Sequence, residues 1–201
     1  GNVLVQNAAA RKQWYEKATK LYPNDYRAYN NLAQIAIMEG NTAAAQNWLQ
    51  KAKSVNAKAP EINANMALLA LKSGDVAKAE VLMGQASGSD TYNEVLGNLN
   101  IAKGNYTQAQ KNLSNTATNS AALSQILNKD YNAAKKTLAA IKTPDATTSY
   151  LKAVVAARTN DTAAVKANLK AAITSDSSLK ARAANDIEFA NYKNDIADLV
   201  K

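Results

Sequence analysis

The sequence of 201 residues has no histidine and no cysteine, only seven glycines and three prolines, and just 6% aromatic residues. Each shortage excludes something. Without thiol or imidazole there is no disulfide, Cys/His zinc site, thiol nucleophile, His-dependent triad or imidazole general base. Sandwiches and barrels need β-branched and aromatic strands broken by frequent turns, and this composition argues against them. No apolar run approaches the ~20 residues that span a bilayer as a helix, so membrane insertion of this segment is not expected. The opening Gly1-Asn2-Val3 has neither Met nor a basic-plus-apolar leader, and is expected to follow a targeting segment or lie inside a longer chain.

What is present favours helix. Apolar residues make up 47%, yet mean hydropathy is −0.36, because alanine supplies about a fifth of the chain. Ala, Lys, Asn, Leu and Gln with few turn residues describe a helix former. The formal charge is +8, from 24 Lys and Arg against 16 Asp and Glu. The acids gather where helices should begin, at Asp25, Asp75, Asp90, Asp130, Asp145 and Asp161. The bases are dispersed singly along helical stretches, as at Lys17, Lys51, Lys78, Lys111, Lys135 and Lys166. Dispersed lysines read as a solvated face rather than a nucleic-acid footprint. Carboxylates occur only as separated turn residues, and there is no phosphate loop, Rossmann fingerprint or calcium loop. No catalytic, cofactor-binding or metal residue is therefore nominated, and the chain is read as not an enzyme.

Periodicity decides the architecture. Three turns align: Glu39-Gly40-Asn41, Ser73-Gly74-Asp75 and Lys103-Gly104-Asn105. The first two glycines lie 34 residues apart, the length of a two-helix repeat. Five residues after each glycine stands Ala45, Ala79 or Ala109, and four later Leu49, Met83 or Leu113. Eight residues before each glycine stands Leu32, Met66 or Leu96, followed by Ala33, Ala67 or Gly97. The glycine allows a positive φ where the first helix stops. Small residues let helices approach closely, and the large ones fill the space between them. A single helical pair cannot bury its apolar surface alone, so neighbours must stack.

Later repeats drift, with turns at Lys129-Asp130-Tyr131 and Asn160-Asp161-Thr162 after a shortened first helix near Ser120 to Leu127. The expected organisation is one domain over 1–201. Residues 1–24 hold the second helix of a partial repeat. Repeats follow at 25–58, 59–88, 89–117, 118–143 and 144–176, and a C-terminal cap at 177–201, with helix over Leu179 to Ala190 and a last turn and helix from Asp195 to Lys201.

Tyr29, Leu32, Ala33, Gly40, Ala45, Leu49 and Ala52 resemble the tetratricopeptide repeat signature, and later repeats match it with falling fidelity. The resemblance implies an all-α, right-handed α-α superhelix of about five helix-turn-helix repeats, the first incomplete, with a C-terminal capping helix. Phrases such as Pro-Asn-Asp-Tyr-Arg-Ala-Tyr-Asn-Asn-Leu and Ala-Asn-Asp-Ile-Glu-Phe-Ala resemble repeat regions of Bacteroidetes-type cell-envelope proteins. That similarity implies a periplasmic or envelope setting, with a cytoplasmic one as the alternative. Clamp-type members of the family hold a carboxylate with Lys, Asn and Arg on successive first helices. Here those places fall on Asn30, Gln34, Asn65, Thr91 and Val95, so every cation is missing and no clamp is implied.

The resemblance directs attention to the concave face lined by first helices. Its expected exposed positions are Arg27, Asn30, Asn31 and Gln34, with Met38, then Glu61 and Asn65 with Ala64 and Leu68, then Glu94 and Asn98. Asn and Gln can satisfy the backbone of an extended peptide. They can equally be solvated residues without a ligand. Trp14 is either an interface residue or packs on a preceding helix, the second being favoured; Tyr22, Tyr26 and Tyr29 are expected to fill the junction at Pro23. Phe189 is expected to seal the C-terminal end. Three functions stay open: a scaffold binding a protein or peptide, an assembly segment of a larger envelope protein, and a binder of anionic polymer. No small-molecule substrate, cofactor or nucleic-acid partner is expected. Ala45→Leu should overpack its junction and cost about 1–3 kcal/mol, read from a urea titration; an unchanged midpoint contradicts the repeat register.

Overall fold

The computed structural model describes residues 7–201; the start at Gly1-Asn2-Val3, with its expected cut from a longer product, lies outside the described residues. Those residues form twelve α-helices and one short 3-10 helix, with no strand among them. They fall into two compact units, divided between Gly104 and Asn105.

Unit 1 contains α1 (Ala8–Leu21), α2 (Tyr26–Met38), α3 (Thr42–Val55), α4 (Pro60–Lys72), α5 (Val76–Met83) and α6 (Tyr92–Ala102). Hairpins α2/α3 and α4/α5 stack so that α2, α4 and α6 lie side by side as first helices, while α1 packs on α2. Unit 2 contains α7 (Tyr106–Asn112), α8 (Asn119–Leu127), α9 (Tyr131–Ala140), α10 (Ala146–Arg158), α11 (Thr162–Ser175) and α12 (Leu179–Asn185), then the 3-10 helix Ile187–Tyr192. Hairpins α8/α9 and α10/α11 stack in the same way, with α8 beside α10.

One turn design recurs between first and second helices. Gly40, Gly74 and Gly104 have φ of 72°, 79° and 77°, and Lys129 and Asn160 take the same place with φ of 64° and 56°. The amide of Asn41 donates to the carbonyl of Ala36 at 2.8 Å and that of Gly40 to Ile37 at 3.2 Å, which closes the first helix with a Schellman pair. Asp75, Asp130 and Asp161 repeat the first of these bonds, donating to Ala70, Gln125 and Ala156 at 2.8–2.9 Å. Each of these Asn or Asp residues then caps the next helix, accepting from the amides of Ala44, Lys78, Ala133 and Ala164 at 3.0–3.2 Å. Asp25 and Asp145 cap α2 and α10 likewise. Asp90 does not: it is exposed in the preceding turn, and Thr91 stands at the N-cap without a side-chain bond.

Packing follows the same spacing. Ala45, Ala79, Ala109, Ala134 and Val165 are all fully buried, as are Leu49, Met83, Leu113, Leu138 and Leu169 four residues on. On the first helices Ala33, Ala67, Gly97, Ala122 and Ala153 are buried at the close approach. Leu32 is buried as expected, whereas Met66 and Leu96 are only half-buried. Met66 lines an open cleft rather than a filled gap.

At the C-terminal side of unit 2, Phe189 is 1% exposed and meets the Tyr150 ring edge-on at 5.5 Å. Tyr192 donates its hydroxyl to the Ala157 carbonyl at 3.1 Å, and Ile196 is buried beside them. The helix expected over Leu179 to Ala190 stops at Asn185, and the one expected from Asp195 is a run of turns. At the second of these places Asp198 would oppose the dipole at such a helix's end.

Two turn variants test the left-handed position. A Cβ at Gly40 meets nothing within 4 Å, so Gly40→Ala should cost about 1–2 kcal/mol through backbone strain alone. Lys129→Gly should instead stabilise by about 0.5–1 kcal/mol after the entropy that glycine adds to the unfolded chain. Both are read from chemical denaturation; a stabilised Gly40→Ala contradicts the argument.

Candidate functional site

All eight residues nominated from the sequence lie in unit 1, and their environments differ. Arg27 is exposed and grips Asp25 with two donors, Nε to Oδ1 at 2.9 Å and Nη2 to Oδ2 at 2.6 Å. That grip, reinforced by the Arg27 amide, holds the Asp25 carboxyl below the usual carboxylate range. Asn30 and Asn65 are not exposed as expected. Both are buried, and Asn65 Nδ2 donates to Asn30 Oδ1 at 2.9 Å between α2 and α4. The reason is geometric: neighbouring first helices approach closely enough for their inward edges to touch.

Asn31, Gln34, Glu61 and Asn98 are half-buried, and Glu94 is exposed. Glu61 stands beside Tyr26, whose hydroxyl is pushed up by burial and further by that carboxylate. Its Oε2 is buried without a hydrogen-bond partner. Of the remaining expected positions, Met38 is exposed, Ala64 buried and Leu68 half-buried.

The same register forms a cleft in unit 2. Counted from the left-handed turn residue, Asn119, Ser120 and Leu123 on α8 correspond to Asn30, Asn31 and Gln34, and Thr147 on α10 corresponds to Arg27. These four residues, with Tyr150, Leu151, Leu179 and Arg182, line a cleft of about 270 Å3. Leu123, Leu151 and Leu179 make it apolar, while Asn119, Ser120, Thr147 and Arg182 supply polar groups.

Several of these side chains are held in place. Asp145 and Thr148 form a reciprocal capping box at the start of α10. Asn119 donates to Asp145 Oδ1 at 3.0 Å and accepts from the Thr148 hydroxyl at 2.9 Å. Burial raises the Asp145 carboxyl, but the bonds from Thr148 and Asn119 outweigh it and leave the group below its usual range. Tyr150 donates to Asp186 Oδ2 at 2.6 Å, and the Arg182 guanidinium lies over its ring at 4.8 Å. Burial, then the Asp186 carboxylate, push the Tyr150 phenol well up, so it stays a donor at neutral pH. The groove positions expected from sequence end at Asn98. Following it through the Lys129 and Asn160 turns, where no glycine stands, leads to this cleft.

The other aromatic residues divide. Tyr29 stacks on Trp48 at 6.1 Å and donates to the Pro23 carbonyl at 3.1 Å, and Lys51 lies over the Trp48 ring. Tyr26 is half-buried at the same junction. Tyr22 does not fill it: Tyr22, Trp14 and Leu21 are 66%, 68% and 61% exposed on and beside α1. No described helix is long and apolar enough to cross a membrane.

Comparison with known proteins agrees with this architecture. The tetratricopeptide repeat profile matches residues 14–47, from α1 through α2 into α3. A solved tetratricopeptide repeat protein from Parabacteroides merdae superposes with a TM-score of 0.59 at 15% identity, covering 87% of this chain and 73% of the other. PilW, described as a widely conserved type IV pilus biogenesis factor, gives 0.55 at 19% identity, over 89% of this chain and 87% of its own. The pilF protein of Pseudomonas aeruginosa gives 0.50 at 16% identity, over 90% and 86%. Comparison with curated proteins gives no match. The chain therefore has the all-helical tetratricopeptide repeat fold, and at these identities the likeness is one of fold.

The Asn30–Asn65 bond is open to a double-mutant cycle. Asn65→Ala leaves the Asn30 carbonyl oxygen buried without its donor and should cost about 1–3 kcal/mol. The cost of Asn30→Ala should be largely shared with it, giving a coupling of at least about 0.5 kcal/mol by urea denaturation. Strict additivity contradicts the bond.

Proposed function

We propose that the chain is a non-enzymatic scaffold that binds a protein or peptide through its first-helix faces. The observation that carries this reading is the unit 2 cleft. It joins an apolar lining to Asn119, already fixed by the Asp145 capping box, and to Arg182, seated over the Tyr150 ring, so binding costs little further ordering of these two side chains. An aliphatic or aromatic side chain of a partner fits such a cleft as an anchor, with Asn119, Ser120 and Thr147 setting register. On the unit 1 face, Asn31, Gln34 and Asn98 offer accessible amide groups. Arg27, Glu61 and Glu94 add charge, while Asn30 and Asn65 shape the face from beneath. On this reading residues 1–201 work as one repeat domain with the boundaries given above, in the periplasm or cell envelope.

A second reading, an assembly segment of a larger envelope protein, is favoured by the open apolar side chains of Trp14, Leu21 and Tyr22. The pilus-biogenesis description of PilW is coherent with it. Capture of partners from cell-envelope extract separates the two. Ser120→Arg with Thr147→Arg should fill the cleft and reduce capture about tenfold or more. Unchanged capture, with loss on Trp14→Glu instead, would remove the cleft reading and favour assembly through α1.

A further inference from the structure

Two clefts occupy one and the same place in the repeat. In unit 1 a cleft of about 320 Å3 opens between α3, α4 and the start of α5, with Gln46 and Met66 on its walls. In unit 2 a cleft of about 200 Å3 opens between α9, α10 and α11, lined by Leu138, Val155 and Ala156. Counted from the left-handed turn residues, Lys135 stands where Gln46 does and Lys152 where Met66 does. The place held by Lys152 carries Leu32, Met66 and Leu96 in the first three full repeats. A cation has thus replaced a packing residue, and such a departure from a local rule marks function more often than stability.

The two ammonium groups are not neutralised. Among the described residues the ion pairs are Lys12–Glu39, Arg27–Asp25, Lys103–Glu80 and Arg158–Glu188, and neither Lys135 nor Lys152 takes part. The one carboxylate lining the cleft, Asp161, caps α11 through the Ala164 amide at 3.0 Å. Thr159 and Asn168 donate to the carbonyls of Val155 and Ala164. The charged side chains of the unit 1 cleft, Asp75 and Lys78, cancel, whereas those of the unit 2 cleft leave one positive charge. Its surroundings reinforce this: residues 105–201 hold thirteen Lys and Arg against eight Asp and Glu.

We propose that this cleft binds an acidic segment of a protein partner. A Glu or Asp carboxylate lies between Lys135 and Lys152, and the aliphatic part of the segment rests on Leu138, Val155 and Ala156. A bare phosphate fits less well. It has no apolar part to cover that lining of Leu138, Val155 and Ala156. The site shares no residue with the first-helix cleft and does not depend on it.

The test uses the full chain and a synthetic peptide alternating leucine and glutamate, followed by fluorescence anisotropy. Lys135→Gln with Lys152→Met installs the residues that the unit 1 cleft already carries, so the fold should be kept, as circular dichroism checks. We expect binding that weakens with salt and falls about tenfold or more in this double variant. Lys111→Gln with Lys170→Gln, which removes the same two positive charges at positions lining neither cleft, should leave it nearly unchanged, which separates this site from the overall charge of the chain. Equal affinity in the Lys135/Lys152 variant, or equal binding of a leucine–lysine peptide, overturns the proposal. Displacement of the peptide by inorganic phosphate at low millimolar concentration overturns the peptide assignment in favour of a plain anion site.

Discussion

The distance at which two helices can approach governs everything else in this chain. It is set by Ala33, Ala67, Ala45 and Ala79 and their counterparts, each buried with no side chain beyond Cβ. Thin contacts of this kind release little apolar surface per pair, so stability must come from repetition along each unit. The large residue four positions later, Leu49 or Leu169 for example, then has one place to go. Polar side chains on first helices inherit the same closeness. Asn30 and Asn65 touch because the backbones beneath them are near, and a wider spacing would have left both in water.

How much of this is legible in sequence depends on whether the controlling interaction is local. Turns were readable because a left-handed residue followed by Asn or Asp is a local code. Even Lys129 and Asn160, which break the glycine rule, were placed correctly by the cap that follows them. The burial of Phe189 was readable too, since a lone phenylalanine in so polar a chain has few alternatives. Asn30 and Asn65 were not. Their partnership spans 35 residues and depends on which edge of each helix turns inward, information that periodicity averages away. The exposure of Tyr22 is illegible for a related reason: aromatic clustering near Pro23 says that a junction exists, not which ring enters it. The unit 2 cleft needs side chains from α8, α10 and α12 together, and no single repeat contains it.

Charge shows the same division of labour. Asp25, Asp75, Asp130, Asp145 and Asp161 are tied to helix N-termini, and of these five Asp25 alone also forms an ion pair, with Arg27. The formal excess of eight positive charges is carried mostly by Lys and Arg of second helices and turns, with Arg27, Lys72, Lys152 and Arg158 on first helices. Capping thus fixes where the negative charge sits, at the turns, while the lysines lie along the helices between them.

The fastening of residues 186–196 onto α10 also bears on how the chain is made. Tyr150 and the Ala157 carbonyl find their partners in Asp186, Phe189 and Tyr192, which a ribosome adds some thirty-five residues later. During that interval α10 has its turn, its cap and its neighbour α9, but part of its surface is still bare. Unit 1 is spared this wait, because it is complete by Gly104. Synthesis therefore imposes an order on the two units, and it is the second that passes through an interval with exposed apolar surface, when a chaperone would find something to hold.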